Sequence, residues 1–287
     1  MYKHLAVSLL ALVLVACGQP EKPTFTFTAI PDQDEARLIE RFGNVADYLS
    51  KELGVEVKYI PVKSYAAAVT AFRNNEVQLA WFGGLTGVQA RLQVPDSSAI
   101  AQGYEDQFFV SYFIAHNSTG LSENNEFPQD IAGKSFTFGS KGSTSGRLMP
   151  EFFIRESLGD APDNAFSRVG FSGDHSATIA LVQSGAYEVG AVNYKVWEDE
   201  LAQGKIDTSK VSVIWKTPEY LDYHWVIRGD TDSHWGKGFS DKVQATLLGI
   251  NDPEILAAFP RSSFVAANND DYQAILETAQ SIGLLDQ

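Results

Sequence analysis

The chain has 287 residues, of which 36 are acidic and 22 basic, so its formal net charge is −14. This acidity argues against nucleic acid and anionic membrane surfaces as partners, although local N–H groups and hydroxyls can still bind a small anion in a pocket. The one cysteine, Cys17, lies in the N-terminal segment, so the rest of the chain has no disulfide and no thiolate chemistry. The length allows one large domain or two modest lobes.

Residues 1–16 have the pattern of a secretory signal peptide, with a short basic start and an apolar run that is too short to span a bilayer. The run ends in Leu14-Val15-Ala16-Cys17, which resembles a bacterial lipobox, whose cysteine becomes the lipidated first residue. The alternative is an ordinary signal with a coincidental cysteine. We expect a lipoprotein signal peptide over 1–16 and a lipidated tether over 17–24. The body would then lie in the periplasm, anchored to a membrane only by lipid at Cys17.

The first part of the body alternates strand and helix patterns. The expected strands are 25–29, 55–59 and 77–82, and the expected helices are 35–53 and 64–72. Strands separated by helical segments imply a parallel sheet that is covered on both faces. The sequence therefore predicts an α/β protein.

The second part continues this alternation and indicates a second lobe. The expected strands are 100–104, 111–116, 135–138, 167–171, 189–192 and 211–215, and the expected helices are 145–158, 177–183, 241–248 and 272–282. The composition shifts near residues 130–134, where we place a crossing between lobes, and the strand at 211–215 should lead back to the first lobe. The predicted organisation is lobe 1 over 25–115, lobe 2 over 116–216, and a return to lobe 1 with C-terminal helices over 217–287.

A Gly- and Ser-rich turn between a strand and a helix is a candidate anion site. Its centre is Ser143-Thr144-Ser145-Gly146. Free backbone N–H groups at a helix start point outward, the helix dipole favours negative charge, and three hydroxyls add neutral donors. The turn is not a Walker A loop, because the required Gly-Lys-Ser/Thr is absent. Taken alone, the turn is better explained by Ser143 or Thr144 capping the helix, with the glycines only making the turn.

His175 lies at a second helix start, after the turn that begins at Ser172. An isolated histidine here would be a surface cap or a buried helix-start residue. If the two helix starts meet, however, both can aim N–H groups at one anion. Near a helix N-terminus the imidazole should be neutral and donate from one nitrogen.

Several motifs together resemble the phosphonate-binding family of ABC-transporter solute receptors. They are Tyr65 with Phe72-Arg73, Leu79-Ala80-Trp81-Phe82-Gly83, Ser143-Thr144-Ser145-Gly146, His175, and Ile214-Trp215-Lys216-Thr217-Pro218. The resemblance implies a type II periplasmic binding fold of two α/β lobes, each a mixed, mostly parallel sheet flanked by helices, with the ligand in the cleft. It also implies a monomer that works with a membrane permease, without catalysis, cofactor or metal.

The same resemblance implies which side chains bind the ligand. Ser143, Thr144, Ser145 and His175 would hold an oxyanion from the second lobe. Side chains of the first lobe would close on it. The full expected set is Tyr65, Phe82, Ser143, Thr144, Ser145, His175, Asn193 and Tyr223.

The departures from the family pattern bear on the ligand. Receptors for aminoethylphosphonate place carboxylates on the segments that match Asn193–Trp197 and Tyr220–His224, where this chain has Lys195 and Tyr223. An aminoalkylphosphonate is therefore not expected, because its ammonium would be unpaired in a desolvated cleft. The expected ligands are phosphite, methylphosphonate, phosphate or selenate. The selenate suggestion comes from a branch of the family labelled as selenate receptors. Two motifs resemble that branch, Ala29-Ile30-Pro31-Asp32-Gln33-Asp34 and Trp81-Phe82-Gly83-Gly84-Leu85.

Selenate and sulfate carry no proton near neutral pH and need only donors. A protonated phosphate or phosphonate also needs an acceptor, for which Asp222 is a candidate.

Other classes of function receive less support from the sequence. Ser143 lacks the Gly-x-Ser-x-Gly pattern of a hydrolase nucleophile, and Asp174 is adjacent to His175 rather than placed to orient it. The histidines show no metal-ligand spacing. A lipoprotein sensor or protein-binding module on the same fold stays open, because sequence does not separate transport from sensing.

Overall fold

The structure is a computed structural model that describes residues 23–285, so the predicted signal peptide and Cys17 lie outside the described residues. The strands are β1 (Phe25–Ala29), β2 (Val57–Tyr59), β3 (Leu79–Phe82), β4 (Ser98–Gly103), β5 (Ser111–His116), β6 (Ser135–Phe138), β7 (Arg168–Phe171), β8 (Val189–Asn193), β9 (Val211–Lys216), β10 (His224–Ile227) and β11 (Phe264–Ala266). The helices are α1 (Glu35–Leu53), α2 (Tyr65–Arg73), α3 (Gly84–Gln93), α4 (Met149–Leu158), α5 (Pro162–Ala165), α6 (His175–Gln183), α7 (Tyr194–Ala202), α8 (Thr231–Trp235), α9 (Phe239–Leu248), α10 (Pro253–Ala257) and α11 (Gln273–Ser281). None of these helices is long and apolar enough to cross a membrane.

Two sheets define two lobes. The first has the strand order β11-β4-β10-β3-β1-β2 and the second the order β7-β6-β8-β5-β9. In the first sheet β1 pairs in parallel with β2 and β3, whereas β10 is antiparallel to both β3 and β4. In the second sheet β6 pairs in parallel with β7 and β8, whereas β5 is antiparallel to β8 and β9. The sheets are therefore mixed, as expected, but they are not mostly parallel.

The two lobes are joined by two chain crossings that pair with each other. Phe109 and Tyr220 exchange both backbone hydrogen bonds at 2.9 Å, in an isolated antiparallel bridge. The first crossing therefore precedes β5, and the predicted end of lobe 1 at residue 115 is too late. The observed first crossing, at Phe109, also lies earlier in the chain than the crossing predicted near 130–134. The strand β5 was assigned to lobe 1 because apolar strand patterns look alike in either sheet.

The predicted return of the chain at 211–215 is wrong, because β9 pairs with β5 in the second sheet. The return lies after β9, in agreement with the predicted boundary at residue 217. The C-terminal helices then lie on lobe 1, as predicted, where α9 contacts α1 and α11 contacts α3.

Local sequence explains why α1 begins and ends where it does. The Asp34 carboxylate accepts hydrogen bonds from the backbone N–H groups of Ala36 and Arg37, which satisfies donors that a helix start leaves free. Gly54 ends the helix in the left-handed conformation, with φ = 70°. The sequence predicted this helix with its observed bounds.

The predicted helix at 145–158 consists of two parts. Residues Thr144–Leu148 form a π-helical turn, and α4 follows. The backbone N–H of Leu148 donates to the carbonyl of Ser143, five residues back, at 3.0 Å. Such wide turns are common at functional sites, and this one forms the base of the cleft between the lobes.

Seven helices and strands were not predicted, and α3 and β10 among them matter for the site. The seven are α3, α5, α7, α8, α10, β10 and β11. The helix α3 has a short, glycine-containing sequence with a weak apolar stripe, so its pattern is hard to separate from a loop. Its first residue, Gly84, lies next to the crossing between the lobes, as described below.

Candidate ligand-binding site

The Ser/Thr turn of lobe 2 has the geometry of a capped helix start that faces the cleft. The Ser143 hydroxyl oxygen accepts a hydrogen bond from the backbone N–H of Gly146 at 2.9 Å. Ser143, Thr144 and Ser145 are all almost fully buried, with at most 2% of each residue exposed. The capping role that the sequence left open is therefore real for Ser143, and it coexists with a buried position in the cleft.

Gly146 is required because the His175 ring lies against it. A Cβ atom at this position would lie 2.9 Å from His175 Cε1 and 3.1 Å from the Ser143 hydroxyl oxygen. The glycine thus allows the two helix starts of lobe 2 to meet. The structure confirms this expected juxtaposition of the turn and His175.

His175 is fully buried, and its proton can be assigned from its partners. The backbone N–H of Asn193 donates to Nδ1 at 3.2 Å, so the neutral ring carries its proton on Nε2. Burial lowers the pKa of His175 to about 3, which keeps the ring neutral. Nε2 is buried without a partner, so it is a donor that is free to bind a ligand.

The wall of lobe 1 contributes a hydroxyl and a carboxylate. Tyr65 is the first residue of α2, and its hydroxyl is buried without a partner. Asp222 lies in the second crossing, where its Oδ1 accepts from the backbone N–H of Gly84 at 2.9 Å and its Oδ2 has no partner. Burial raises the pKa of Asp222 to about 7. A carboxyl group in this state can accept a proton from a ligand near neutral pH.

These groups lie close to one another across the cleft. The pKa of Tyr65 is raised by burial and by the charges of Asp32 and Asp222, and the Ser143 hydroxyl partly opposes this rise. The pKa of Asp222 is likewise raised by burial, and the Thr144 and Ser145 hydroxyls partly lower it. The geometry agrees, because a Cβ atom at Gly83 would lie 3.0 Å from Asp222 Oδ1 and 3.1 Å from the Thr144 hydroxyl oxygen.

Half of the eight buried, unpartnered polar side-chain atoms in residues 23–285 belong to this one place. They are the Tyr65 hydroxyl, the Ser145 hydroxyl, His175 Nε2 and Asp222 Oδ2. A buried polar atom without a partner costs about 1–3 kcal/mol, so such a concentration indicates a site for a polar ligand. The set offers three donors and one acceptor.

The start of α3 is a part of the site that sequence reasoning missed. Gly84 N–H donates to Asp222 Oδ1, and Leu85 N–H donates to the Thr144 hydroxyl oxygen at 3.0 Å. Adjacent amides of one helix start therefore bind the second crossing and the turn of lobe 2. Gly83-Gly84 after a buried strand was the available signal. Asp222 itself was considered only as an acceptor next to Tyr223.

The remaining predicted site residues have other partners. Asn193 caps α7 with its side-chain oxygen and donates through Nδ2 to the Tyr223 hydroxyl at 3.1 Å. The Tyr223 hydroxyl donates to Asp32 Oδ2 at 2.8 Å. Phe82 is fully buried and packs edge-to-face on Phe72 in the core of lobe 1. For these three residues, contact with a ligand stays a prediction.

Three of the predicted exclusions can be compared with this geometry. In residues 23–285 no group of three or more His, Cys, Asp or Glu side chains could hold a metal ion. Asp174 caps α6 by accepting from the Ala177 N–H at 2.8 Å, so it has a local structural role beside His175. His175 Nε2 has no hydrogen-bond partner among the described residues, so no serine hydroxyl is paired with it.

Two α/β lobes with a buried, donor-rich site between them define a solute-binding protein. A family model described as "ABC transporter, phosphonate, periplasmic substrate-binding protein" matches residues 27–272. The chain therefore belongs to this family, and it is a periplasmic substrate-binding component of an ABC transporter rather than an enzyme.

Individual relatives agree with this assignment. A probable ABC transporter phosphite binding protein, PhnD1, of Prochlorococcus marinus (strain MIT 9301) is 43% identical over 261 residues, which are 88% of each chain. The structure of PhnD1 from the same strain in complex with methylphosphonate has a TM-score of 0.87 at 42% identity, over 93% of this chain and 100% of that one. The phosphate-import protein PhnD of Mycolicibacterium smegmatis is 26% identical over 236 residues, 74% of this chain and 71% of the relative.

Proposed function

We propose that this protein binds a small, protonated phosphorus oxyanion, phosphite or methylphosphonate in particular, and delivers it to a membrane permease. The observation that carries the proposal is the set of three buried donors and one buried acceptor that face one another without partners. The names of the relatives support it, since one is described as phosphite-binding and its structure holds methylphosphonate.

The donors suit an anion because they are neutral. The Tyr65 and Ser145 hydroxyls and His175 Nε2 can each donate to a ligand oxygen, without the desolvation cost of a buried cation. The two helix starts of lobe 2 add the positive ends of their dipoles. Two helix starts at about half a positive charge each can together stabilise about one unit of negative charge.

The acceptor, Asp222 Oδ2, distinguishes ligands by whether they carry a proton. Asp222 Oδ2 needs a proton between itself and a ligand oxygen, which a monoprotonated phosphorus oxyanion supplies. Sulfate and selenate have no such proton, so they fit only when Asp222 itself is protonated, and an ionised Asp222 would leave two acceptors facing each other. We therefore expect phosphorus oxyanions to be preferred over selenate, which was among the ligands that the sequence suggested.

The space beside the site also favours a small ligand. On the side of Trp81 and Tyr223, the cavity next to the site has a volume of only 20 Å³, and its walls also include Asp32 and Asn193. The Tyr223 ring stacks on Trp81 with centroids 5.6 Å apart, where an ammonium-bearing arm would need room. Aminoethylphosphonate is therefore expected to bind much more weakly than methylphosphonate.

Lipid attachment at Cys17 is the second part of the proposal, and it is supported by the Leu14-Val15-Ala16-Cys17 sequence. We expect the mature protein to begin at a diacylated Cys17 and to partition with membranes. Mass spectrometry of the mature N-terminus tests this point. An unmodified cysteine, or cleavage at another residue, would contradict it.

Calorimetry on the mature chain tests the ligand assignment. Phosphite, methylphosphonate, phosphate, sulfate, selenate and aminoethylphosphonate would be titrated at pH 7 in a buffer free of phosphate and sulfate. We expect sulfate and selenate to bind more weakly than the best phosphorus ligand, and the difference to approach about 10- to 150-fold in a repeat at pH 8, where Asp222 is mostly ionised, because an unsatisfied buried acceptor costs about 1–3 kcal/mol.

The variant Asp222→Asn should narrow that difference, because an amide can donate to an unprotonated oxygen. Asp241→Asn, a conversion of the same kind in the first turn of α9, is the matched control and should change nothing. Tightest binding of selenate by the wild type would overturn the role given to Asp222. No binding of any of the six anions would overturn the proposed function itself.

A further inference from the structure

A buried histidine lies directly behind the proposed acceptor, outside the site described so far. His224 begins β10 and is fully buried. Its ring stacks on Tyr272 with centroids only 3.7 Å apart. On its other side, a Cβ atom at Gly87 would lie 2.3 Å from the ring, so α3 presses its backbone against the imidazole. The ring therefore has one available orientation.

The position of the proton on His224 follows from its two partners. Arg91 Nη1 lies 2.7 Å from Nε2, and a guanidinium can only donate, so Nε2 accepts. Burial, and then the charge of Arg91, lower the pKa of His224 well below its usual value, so the ring is neutral and its proton is on Nδ1. Nδ1 lies 3.1 Å from the Asp222 carbonyl oxygen, to which it donates.

Asp222 is thus held at both ends by one helix. At the start of α3, Gly84 N–H donates to Asp222 Oδ1 at 2.9 Å. Two turns later, Arg91 acts through His224 on the backbone carbonyl of the same residue. These bonds leave Oδ2 as the one carboxylate oxygen without a partner.

Arg91 is an unusual residue to find in this position. It makes no ion pair with a carboxylate among the ion pairs of the described residues, although burial lowers its pKa to about 10. Its guanidinium instead lies 5.3 Å from the centre of the Tyr272 ring. A partly desolvated cation without a counter-ion is costly for stability, which favours a role beyond stability.

We propose that Arg91 and His224 are positioning residues, which fix the proton on His224 Nδ1 and thereby aim the Asp222 carboxylate at the ligand. Without the Arg91 donor, the ring is free to move its proton to Nε2. Nδ1 would then present a lone pair to the Asp222 carbonyl oxygen, two acceptors would repel each other, and the crossing segment would shift. This inference rests on the proposed function, because it assigns the selectivity of that same site.

The test compares Arg91→Met, which removes the donor, with Arg91→Lys, which keeps one. Nitrogen-15 NMR reports which ring nitrogen of His224 carries the proton, and calorimetry gives Kd for methylphosphonate and for sulfate. We expect Arg91→Met to populate the Nε2–H form and to reduce the methylphosphonate-to-sulfate preference by at least fivefold. Arg91→Lys should retain both the wild-type tautomer and the preference.

A second pair of variants distinguishes a loss of the proposed hydrogen bond from general destabilisation of the fold. His224→Asn places an amide N–H near the position of Nδ1 and should keep the preference, whereas His224→Leu has no donor and should lose it. General destabilisation would weaken both ligands equally and leave their ratio unchanged.

An unchanged ratio in Arg91→Met, or an Nε2–H tautomer in the wild type, would overturn the inference while the wild type still binds phosphorus oxyanions. If the wild type binds none of these anions, the proposed function fails instead. The two failures are therefore distinguishable.

Discussion

The two walls of the cleft are built differently, and the difference divides recognition into two tasks. The wall of lobe 2 consists of donors at two helix starts, the Ser143–Ser145 turn and His175, and burial keeps His175 neutral. The wall of lobe 1 combines one hydroxyl, Tyr65, with the carboxyl group of Asp222. Under the proposed function, lobe 2 would attract any small oxyanion, whereas lobe 1 would test whether the anion carries a proton.

The walls also differ in how the chain assembles them. In lobe 2 the three hydroxyls are consecutive in sequence, and one glycine brings them against His175. In lobe 1 the start of α2, the start of α3 and the second crossing supply one group each. Donor chemistry is thus local, whereas the acceptor requires most of the tertiary structure of its lobe.

Changing the acceptor wall should give the largest effect, and it should appear as a dependence of stability on pH. Burial raises the Asp222 pKa from 3.8 to about 7, so the folded protein binds this proton more tightly than the unfolded chain. Its contribution to stability is complete below about pH 4 and is lost as the pH rises through about 7. Relative to Asp222→Asn, the unliganded wild type should lose roughly 2–4 kcal/mol of unfolding free energy between pH 4 and pH 8.

Urea unfolding of both proteins at several pH values, in buffers free of phosphate and sulfate, measures this difference. The subtraction of the variant removes the contributions of other groups, such as His175, whose lowered pKa acts in the opposite direction. A constant difference across the range would show that Asp222 is not desolvated in the unliganded protein.

Changing the donor wall should weaken every anion by the same factor. His175→Ala removes the free Nε2–H, and a hydrogen bond to a charged group is worth about 1.5–3 kcal/mol, so Kd should rise about 10- to 150-fold. The ratio between methylphosphonate and sulfate should stay as in the wild type, in contrast to Asp222→Asn.

His234→Ala is the matched control, because this exposed histidine lies in α8, away from the cleft. Calorimetry with both ligands gives the two constants. A change in the methylphosphonate-to-sulfate ratio in His175→Ala would mean that the two tasks are not divided between the walls.

The smallest effect on affinity should come from a substitution that weakens the contact between the lobes and leaves the residues of both walls unchanged. Asp199 of α7 in lobe 2 forms ion pairs with Arg37 and Arg41 of α1 in lobe 1, with N–O distances of 2.8 and 3.4 Å. These pairs join the two lobes, so we expect them to break when the lobes separate. Asp199→Asn should therefore weaken binding about two- to fivefold at low salt, since partly exposed pairs contribute up to about 1 kcal/mol.

The effect of Asp199→Asn should disappear in 1 M NaCl, which screens exposed charges. Titrations at the two salt concentrations make this comparison, and Asp207→Asn, an exposed residue of lobe 2 that pairs only within its own loop, is the control. A loss of affinity that persists at high salt would point to a structural role for Asp199 instead of an ion pair between lobes.

The sequence allowed the local structure to be predicted well where one element carries its own signal. The bounds of α1 and β5 were predicted as observed, because Asp34 and Gly54 limit the helix and apolar alternation marks the strand. The donor wall was predicted for the same reason, since a Ser/Thr turn and a histidine at a helix start are local patterns. The first crossing between the lobes was predicted too late in the chain, because the sequence pattern of a strand does not show which sheet the strand joins.

By itself, the sequence determined an α/β protein with two helix starts able to bind one anion, and it placed the motifs that resemble a receptor family. Only the tertiary structure decided that β5 belongs to lobe 2, that Phe82 packs in a core, and that Asp222 faces the donors with one oxygen free. The physical reason is the distance along the chain over which each effect acts. Capping, turns and periodicity act within a few residues, whereas sheet order, burial and the pKa of a carboxyl group depend on neighbours more than a hundred residues away in the chain.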